Sequence, residues 1–131
     1  MAEDDGVYPV ATAEIGRQRK QLAPETHQAF EKFSRTVFAE GALSEKTKQL
    51  IAVAVAHVTQ CPYCIAGHTT LSRRKGASDE EIMEAVWVAA EMRAGGAYAH
   101  STIALHTLQQ MQHATDDVSP GHPGAAHDAG S

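Results

Sequence analysis

The chain has 131 residues, with 11 Lys and Arg against 16 Asp and Glu, and its formal net charge is −5. A chain of this length fits one domain with its own core. Its negative balance and the lack of a dense basic stripe exclude nucleic acid as an expected partner. No apolar run approaches the roughly 20 residues of a membrane span, and the acidic start lacks the pattern of a signal peptide. We therefore expect no membrane contact and a cytoplasmic location.

Composition divides the chain into three parts. Residues 1–8 begin with an acidic stretch, and residues 115–131 are rich in Gly, Pro, Ala, His and Asp. Such segments bury too little apolar surface to fold, so we predict a disordered acidic N-terminus and a disordered C-terminal tail. Residues 9–114 are predicted to form one helical domain.

The domain begins with two helical patterns. Pro24 starts the first, in which apolar residues recur at helical spacing until Gly41. Ser44 is the predicted N-cap of the second, and residues 50–56 make that helix apolar almost all round. We expect this second helix to be central and buried. A chain this short has difficulty covering such a helix alone, which favours an oligomer.

The helical pattern continues to the end of the domain. A third helix is predicted from Cys61, and Ser78 with Glu81 three residues later forms a capping box that starts a fourth. The Gly-Gly pair at 95–96 predicts a break or a tight contact before a last helix. No alternating pattern indicates a strand. The predicted fold is therefore all-α, a compact oligomeric bundle of about six helices.

The chemistry is concentrated in residues 61–68, where the only two cysteines lie two residues apart. Pro62 suits the first helical position, so Cys61 is the predicted N-cap and Cys64 lies in the first turn. The positive end of the helix lowers the pKa of a thiol there and favours the reactive thiolate. His68 lies one turn after Cys64 on the same face, where an imidazole can take the proton of the thiol. The motif predicts a redox site.

Three other interpretations of the motif remain open. A purely structural disulfide would close a very short loop and stabilise the fold little. A zinc ion could be held by Cys61, Cys64, His68 and His57, although zinc motifs usually bring a second ligand pair from elsewhere in the chain. The two thiols could also be buried and inert, with the histidine serving packing alone.

Several stretches together resemble the carboxymuconolactone decarboxylase superfamily, specifically its alkyl hydroperoxidase, or AhpD-like, branch. The resemblance covers about residues 22–112. It rests on residues 41–48, 50–56, 61–68 and 76–82. The decarboxylase branch lacks the cysteine pair, so the resemblance does not imply lactone decarboxylation. It implies an all-helical subunit that assembles into a homotrimer or homohexamer.

The resemblance also implies roles for the motif. Cys64 matches the cysteine that reacts with peroxide, Cys61 matches its disulfide partner, and His68 matches the histidine of a proton relay. If the two cysteines react in the same order as those of thioredoxin, the attacking sulfur is instead that of Cys61, and this alternative stays open. An external dithiol or redox protein is expected as reductant. No cofactor is expected, because the chain has no Gly-rich phosphate loop or flavin fingerprint.

One position departs from the family pattern. The relay glutamate stands twelve residues before the first cysteine, where this chain has Gln49. An amide can hold a hydrogen bond but cannot take up a proton at neutral pH. Glu91, an isolated carboxylate in an apolar stretch, is the predicted substitute, and His57 and His100 are weaker candidates for the relay.

Three functions follow from these observations. The first is a thiol-dependent peroxidase for alkyl or hydrogen peroxides that cycles between dithiol and disulfide. The second, motivated by Gln49, is a reductase or electron carrier for protein or lipoyl-type disulfides. The third is a non-catalytic oligomeric binding protein that holds zinc.

Overall fold

The computed structural model of the protein describes residues 6–118 and residue 121. All regular structure within these residues is helical, which confirms the predicted all-α class. The described chain forms five helices rather than the expected six or so. They are α1 (Ala13–Leu22), α2 (Pro24–Phe38), α3 (Glu45–Thr59), α4 (Pro62–Arg74) and α5 (Asp79–Asp116).

The predicted helix starts are confirmed. Pro24 occupies the first turn of α2, where its missing N–H costs nothing. Ser44 is the N-cap of α3, and its hydroxyl oxygen accepts a hydrogen bond from the Thr47 amide at 3.1 Å. Cys61 is the N-cap of α4, followed by Pro62. Local capping chemistry therefore sets where these helices begin.

The predicted break at residues 95–96 was wrong, and helix α1 was not among the helices predicted from the sequence. Helix α5 runs through both glycines from Asp79 to Asp116. A glycine costs a helix only about 1 kcal/mol relative to alanine, which a long helix rich in strong helix formers tolerates. A Cβ added at Gly96 would meet no atom within 4 Å, so no tight contact explains that glycine either.

The described chain divides into two compact units, Met1–Met92 and Arg93–Ser131. The first contains α1 to α4 and the start of α5, and the second contains the remainder of α5. Of the predicted N-terminal tail, residues 1–8, only residues 6–8 lie within the described residues. At the other end α5 continues to Asp116, and residues 119, 120 and 122–131 of the predicted tail lie outside the described residues.

Helices α3 and α4 pack against each other in the first unit, and α2 contacts α3. One stripe of α3 is buried, formed by Gln49, Val53 and Ala56. The prediction that this helix would be buried holds only for that stripe, because Ile51 and Val55 are 47% and 53% exposed. A single chain of this size has too few helices to cover the other faces of α3.

A capping box at the start of α5 carries an ionic contact to α3. Glu81 Oε1 accepts from the Ser78 amide at 3.0 Å, and the Glu81 amide donates to the Ser78 hydroxyl oxygen at 3.1 Å. The second carboxylate oxygen lies 3.0 Å from Lys46 Nζ. The backbone hydrogen bond from Ser78, followed by the Lys46 ammonium, lowers the pKa of Glu81 from its usual 4.5. This contact ties the start of α5 to α3.

We predict that Glu81→Gln removes part of the acid sensitivity of folding. Because the folded pKa lies below 4.5, the charge of Glu81 stabilises the protein above its unfolded pKa, and this stability is lost as the pH falls through the folded value. Glutamine keeps the capping geometry without the charge. Denaturant unfolding along a pH series should show a shallower loss of stability below pH 4.5 in the variant. The control is Glu80→Gln, and equal slopes in all three proteins would contradict the prediction.

Candidate functional site

The two cysteines form a disulfide at the N-terminus of α4. Their Cα atoms are 5.3 Å apart, and Cys61 Sγ accepts from the Cys64 amide at 3.3 Å. Both residues are partly buried. Each sulfur therefore lies at the positive end of a helix, which favours the thiolate when the bond is reduced.

The imidazole of His68 is held by a residue of α3. His68 Nδ1 lies 2.8 Å from Gln49 Oε1, and Gln49 is only 5% exposed. An amide oxygen can only accept, so the imidazole nitrogen that faces it carries the proton. The other ring nitrogen, Nε2, is then the basic one. The structure thus brings together two of the predicted relay residues, Gln49 and His68.

A phenyl ring lies against the same imidazole. Phe38, the last residue of α2, stacks on His68 with ring centroids 5.2 Å apart and an interplanar angle of 27°. Phe38 also lines an apolar groove of about 330 Å³ between α2 and α3, together with Val37, Lys48, Ile51, Ala52 and Val55. The imidazole is therefore contacted from α2 and α3 in addition to its own helix.

The other relay candidates make no hydrogen bond to His68 within the described residues. His57 Nδ1 lies 2.7 Å from the Val53 carbonyl oxygen one turn back in α3, so that ring is bonded to its own helix. Glu91 is exposed on α5 in the first unit, and His100 is exposed on α5 in the second. Their participation in proton transfer remains a prediction.

The N-terminal segment contacts Tyr63, one of the two residues between the cysteines. The Tyr63 hydroxyl donates to the Pro9 carbonyl oxygen at 2.6 Å, and the Tyr8 ring meets Tyr63 edge-on at a centroid distance of 6.0 Å. No sequence pattern indicated this contact, because it joins residues 54 positions apart. The first turn of α4 is thus contacted by a distant part of the chain.

Two further features bear on the other interpretations. Within the described residues no three His, Cys, Asp or Glu side chains are grouped so as to hold a metal ion. In the oxidised state the sulfurs of Cys61 and Cys64 are bonded to each other, so they are not thiolate ligands.

Among the described helices none combines the length and apolar character needed to cross a membrane.

This arrangement can exchange two electrons between a dithiol and a disulfide while His68 takes or gives a proton. The amide of Gln49 forms a hydrogen bond with the imidazole but adds no charge and no proton-accepting group. Sequence reasoning found the cysteines, the histidine and the glutamine from their spacing. It missed the contacts of Phe38 and Tyr63, since they join segments whose proximity depends on how the helices pack.

Comparison with known proteins finds relatives in sequence and in structure. The chain is 56% identical over 103 residues to an uncharacterised protein of the cox locus of Paracoccus denitrificans, covering 79% of this chain and 92% of that one. A carboxymuconolactone decarboxylase family protein of Legionella pneumophila is 31% identical with a TM-score of 0.58, covering 76% of this chain and 91% of that one.

A second solved structure comes from Thermotoga maritima, where a protein of the same family has been suggested to be involved in an antioxidative response. It is 28% identical with a TM-score of 0.50, and the match covers 70% of this chain and 95% of that one. The family itself matches residues 24–107, which include α2 to α4 and most of α5. The chain belongs to the carboxymuconolactone decarboxylase family.

Proposed function

We propose that the protein is a thiol-dependent peroxidase of the alkyl hydroperoxidase type. The observation that carries the proposal is the disulfide between Cys61 and Cys64 at the start of α4, with His68 one turn later. A disulfide between cysteines three positions apart stabilises a fold little, so a catalytic role accounts for it better than a structural one.

The cycle balances with the groups of the chain and one external dithiol. His68 takes the proton of Cys64, and the thiolate attacks one oxygen of the hydroperoxide. The O–O bond breaks, the alcohol leaves with a proton, and Cys64 becomes a sulfenic acid. Cys61 then attacks that sulfur, which releases water and forms the disulfide. An external dithiol returns two electrons and two protons.

One observation supports an organic hydroperoxide as substrate, and a second supports an antioxidant role in general. The apolar groove between α2 and α3 shares Phe38 with the contact on His68, so apolar surface lies next to the proposed base. The Thermotoga maritima relative, suggested to be involved in an antioxidative response, belongs to the same family. We therefore choose an organic hydroperoxide rather than hydrogen peroxide as the first probe.

The proposal predicts the fate of each thiol. After one equivalent of an organic hydroperoxide, the reduced protein should lose both thiols and about two hydrogens in mass. Cys64→Ser should leave peroxide consumption at the level of buffer. Cys61→Ser, the matched control, should still react once and retain a sulfenic acid on Cys64. A free-thiol count with intact mass at short times measures these outcomes, and undiminished consumption by Cys64→Ser would contradict the proposal.

A second candidate is a reductase or electron carrier for disulfides, and Gln49 favours it. The histidine is hydrogen-bonded to a neutral amide rather than to a carboxylate, so less charge stabilises the imidazolium that peroxide cleavage requires. A carrier should reduce lipoamide or a protein disulfide faster than it reduces peroxide. The third candidate, a zinc-holding binding protein, requires metal analysis of reduced protein purified without chelator.

We predict that Gln49→Glu increases the reactivity of Cys64. A carboxylate beside His68 would stabilise the protonated imidazole and, through it, the thiolate. The rate of peroxide-driven thiol loss should rise roughly tenfold, within the range that a positioned acid or base supplies. The acid limb of its pH profile should move to higher pH, because the carboxylate keeps the imidazole protonated to higher pH and only the neutral ring can take the proton of the thiol. Gln21→Glu adds the same charge on the exposed face of α1 and should change neither property. Equal profiles in all three proteins would contradict the prediction.

We also propose that the chain assembles into a homotrimer or homohexamer. Large apolar side chains remain exposed on several helices of the single chain, among them Phe30, Phe33, Ile51, Val55 and Trp87. Exposed apolar surface on this scale is typical of proteins that bury it against a partner. Analytical ultracentrifugation should give a mass of three or six chains, and a monomer at micromolar concentration would contradict this proposal.

A further inference from the structure

A side chain of α3 forms hydrogen bonds with the C-terminal end of α2. Lys48 Nζ donates to the Val37 carbonyl oxygen at 2.8 Å and to the Ala39 carbonyl oxygen at 2.6 Å. The last carbonyls of a helix have no partner within the helix, and they form its negative end. An ammonium group satisfies two of them and complements that charge. Lys48 therefore caps α2 across space rather than along the chain.

Phe38 lies between the two carbonyls that Lys48 binds. Lys48 holds the peptide group that precedes Phe38 and the carbonyl group of the next residue, Ala39, and this restrains the direction in which the Phe38 side chain leaves the backbone relative to α3. Its ring then stacks on His68. A flat ring against an imidazole face resists tilting of the imidazole out of its plane. The hydrogen bonds of Lys48 with the end of α2 therefore influence, through Phe38, the orientation of the proposed base.

The stack supplies a restraint that the hydrogen bond lacks. The terminal torsion of a histidine side chain has a broad energy profile, and a single hydrogen bond at Nδ1 leaves the ring able to rotate about that contact. Gln49 Oε1 fixes one atom of the ring, and Phe38 fixes the plane. Both restraints together fix where Nε2 points. Both restraints depend on consecutive residues of α3. Gln49 contacts the imidazole directly, whereas Lys48 holds the end of α2 and so places Phe38 against the imidazole.

We propose that Lys48 and Phe38 are positioning residues for His68, which they hold in the orientation needed to take a proton from Cys64. The inference builds on the proposed thiol chemistry but does not depend on peroxide being the substrate. If Lys48 and Phe38 only stabilised the fold, their loss would lower stability without changing the ring-nitrogen chemical shifts of His68 or the reactivity of Cys64 in the folded protein.

The test compares matched variants in the reduced protein. Phe38→Leu keeps an apolar side chain but removes the aromatic stack, whereas Phe38→Tyr keeps the ring. Lys48→Met removes the ammonium that caps α2, whereas Lys46→Met removes a surface ammonium two residues away whose partner is Glu81, at 3.0 Å. Helical circular dichroism establishes that each variant is folded.

Two readouts separate positioning from stability. The first is the rate at which iodoacetamide alkylates Cys64, with the alkylated residue assigned by peptide mass spectrometry. This rate should fall roughly tenfold in Phe38→Leu and Lys48→Met, which is part of the rate increase that a positioned base supplies. The second is the pair of ring-nitrogen chemical shifts of His68, which should change because the ring no longer keeps one orientation at its contact with Gln49 Oε1. Phe38→Tyr and Lys46→Met should match the parent protein in both.

Each outcome decides the proposal. Unchanged alkylation in folded Phe38→Leu and Lys48→Met would overturn it, and so would slower alkylation with unaltered His68 shifts. If Lys48→Met fails to fold, the Phe38→Leu and Phe38→Tyr pair decides alone. A parent protein that consumes no peroxide, combined with the expected alkylation rates and shifts, would overturn the proposed peroxidase and leave the positioning role supported.

Discussion

A buried amide on α3 holds an imidazole on α4, with Gln49 Oε1 and His68 Nδ1 2.8 Å apart. Leaving a buried hydrogen-bonding group without its partner costs about 1–3 kcal/mol, so the contact favours one relative placement of the two helices. Gln49 begins the buried stripe of α3 that continues through Val53 and Ala56. The packing of the first unit and the orientation of the proposed base therefore depend on the same helix face.

The parts of this site that local rules govern could be predicted from the sequence. The N-cap at Cys61, the proline after it and the spacing of Cys64 and His68 all act within two turns of one helix. The contact of Phe38 with His68 could not be predicted in this way. It depends on where α2 ends and which face of α3 it meets, and neither periodicity nor capping specifies how separate helices pack.

The fold prediction failed where it drew global conclusions from local composition. Two adjacent glycines weaken a helix but do not end it, because their cost is small beside the propagation of a long helix such as α5. Residues 50–56 are apolar on every side, yet only the stripe facing the rest of the chain is buried. The apolar composition of a helix indicates how much of its surface must be buried, and the single chain buries only part of the surface of α3.

The amide at Gln49 affects the candidate reactions unequally. In peroxide cleavage the proton taken from Cys64 can pass from the imidazole to the departing alkoxide, so the proton balance closes without a carboxylate. A carboxylate would add charge stabilisation of the imidazolium while both charges exist. In disulfide exchange the leaving group is a thiolate, which is far less basic than an alkoxide and needs less help from a proton. The change from carboxylate to amide should therefore slow peroxide reduction more than disulfide exchange, because only the former must neutralise a strongly basic leaving group.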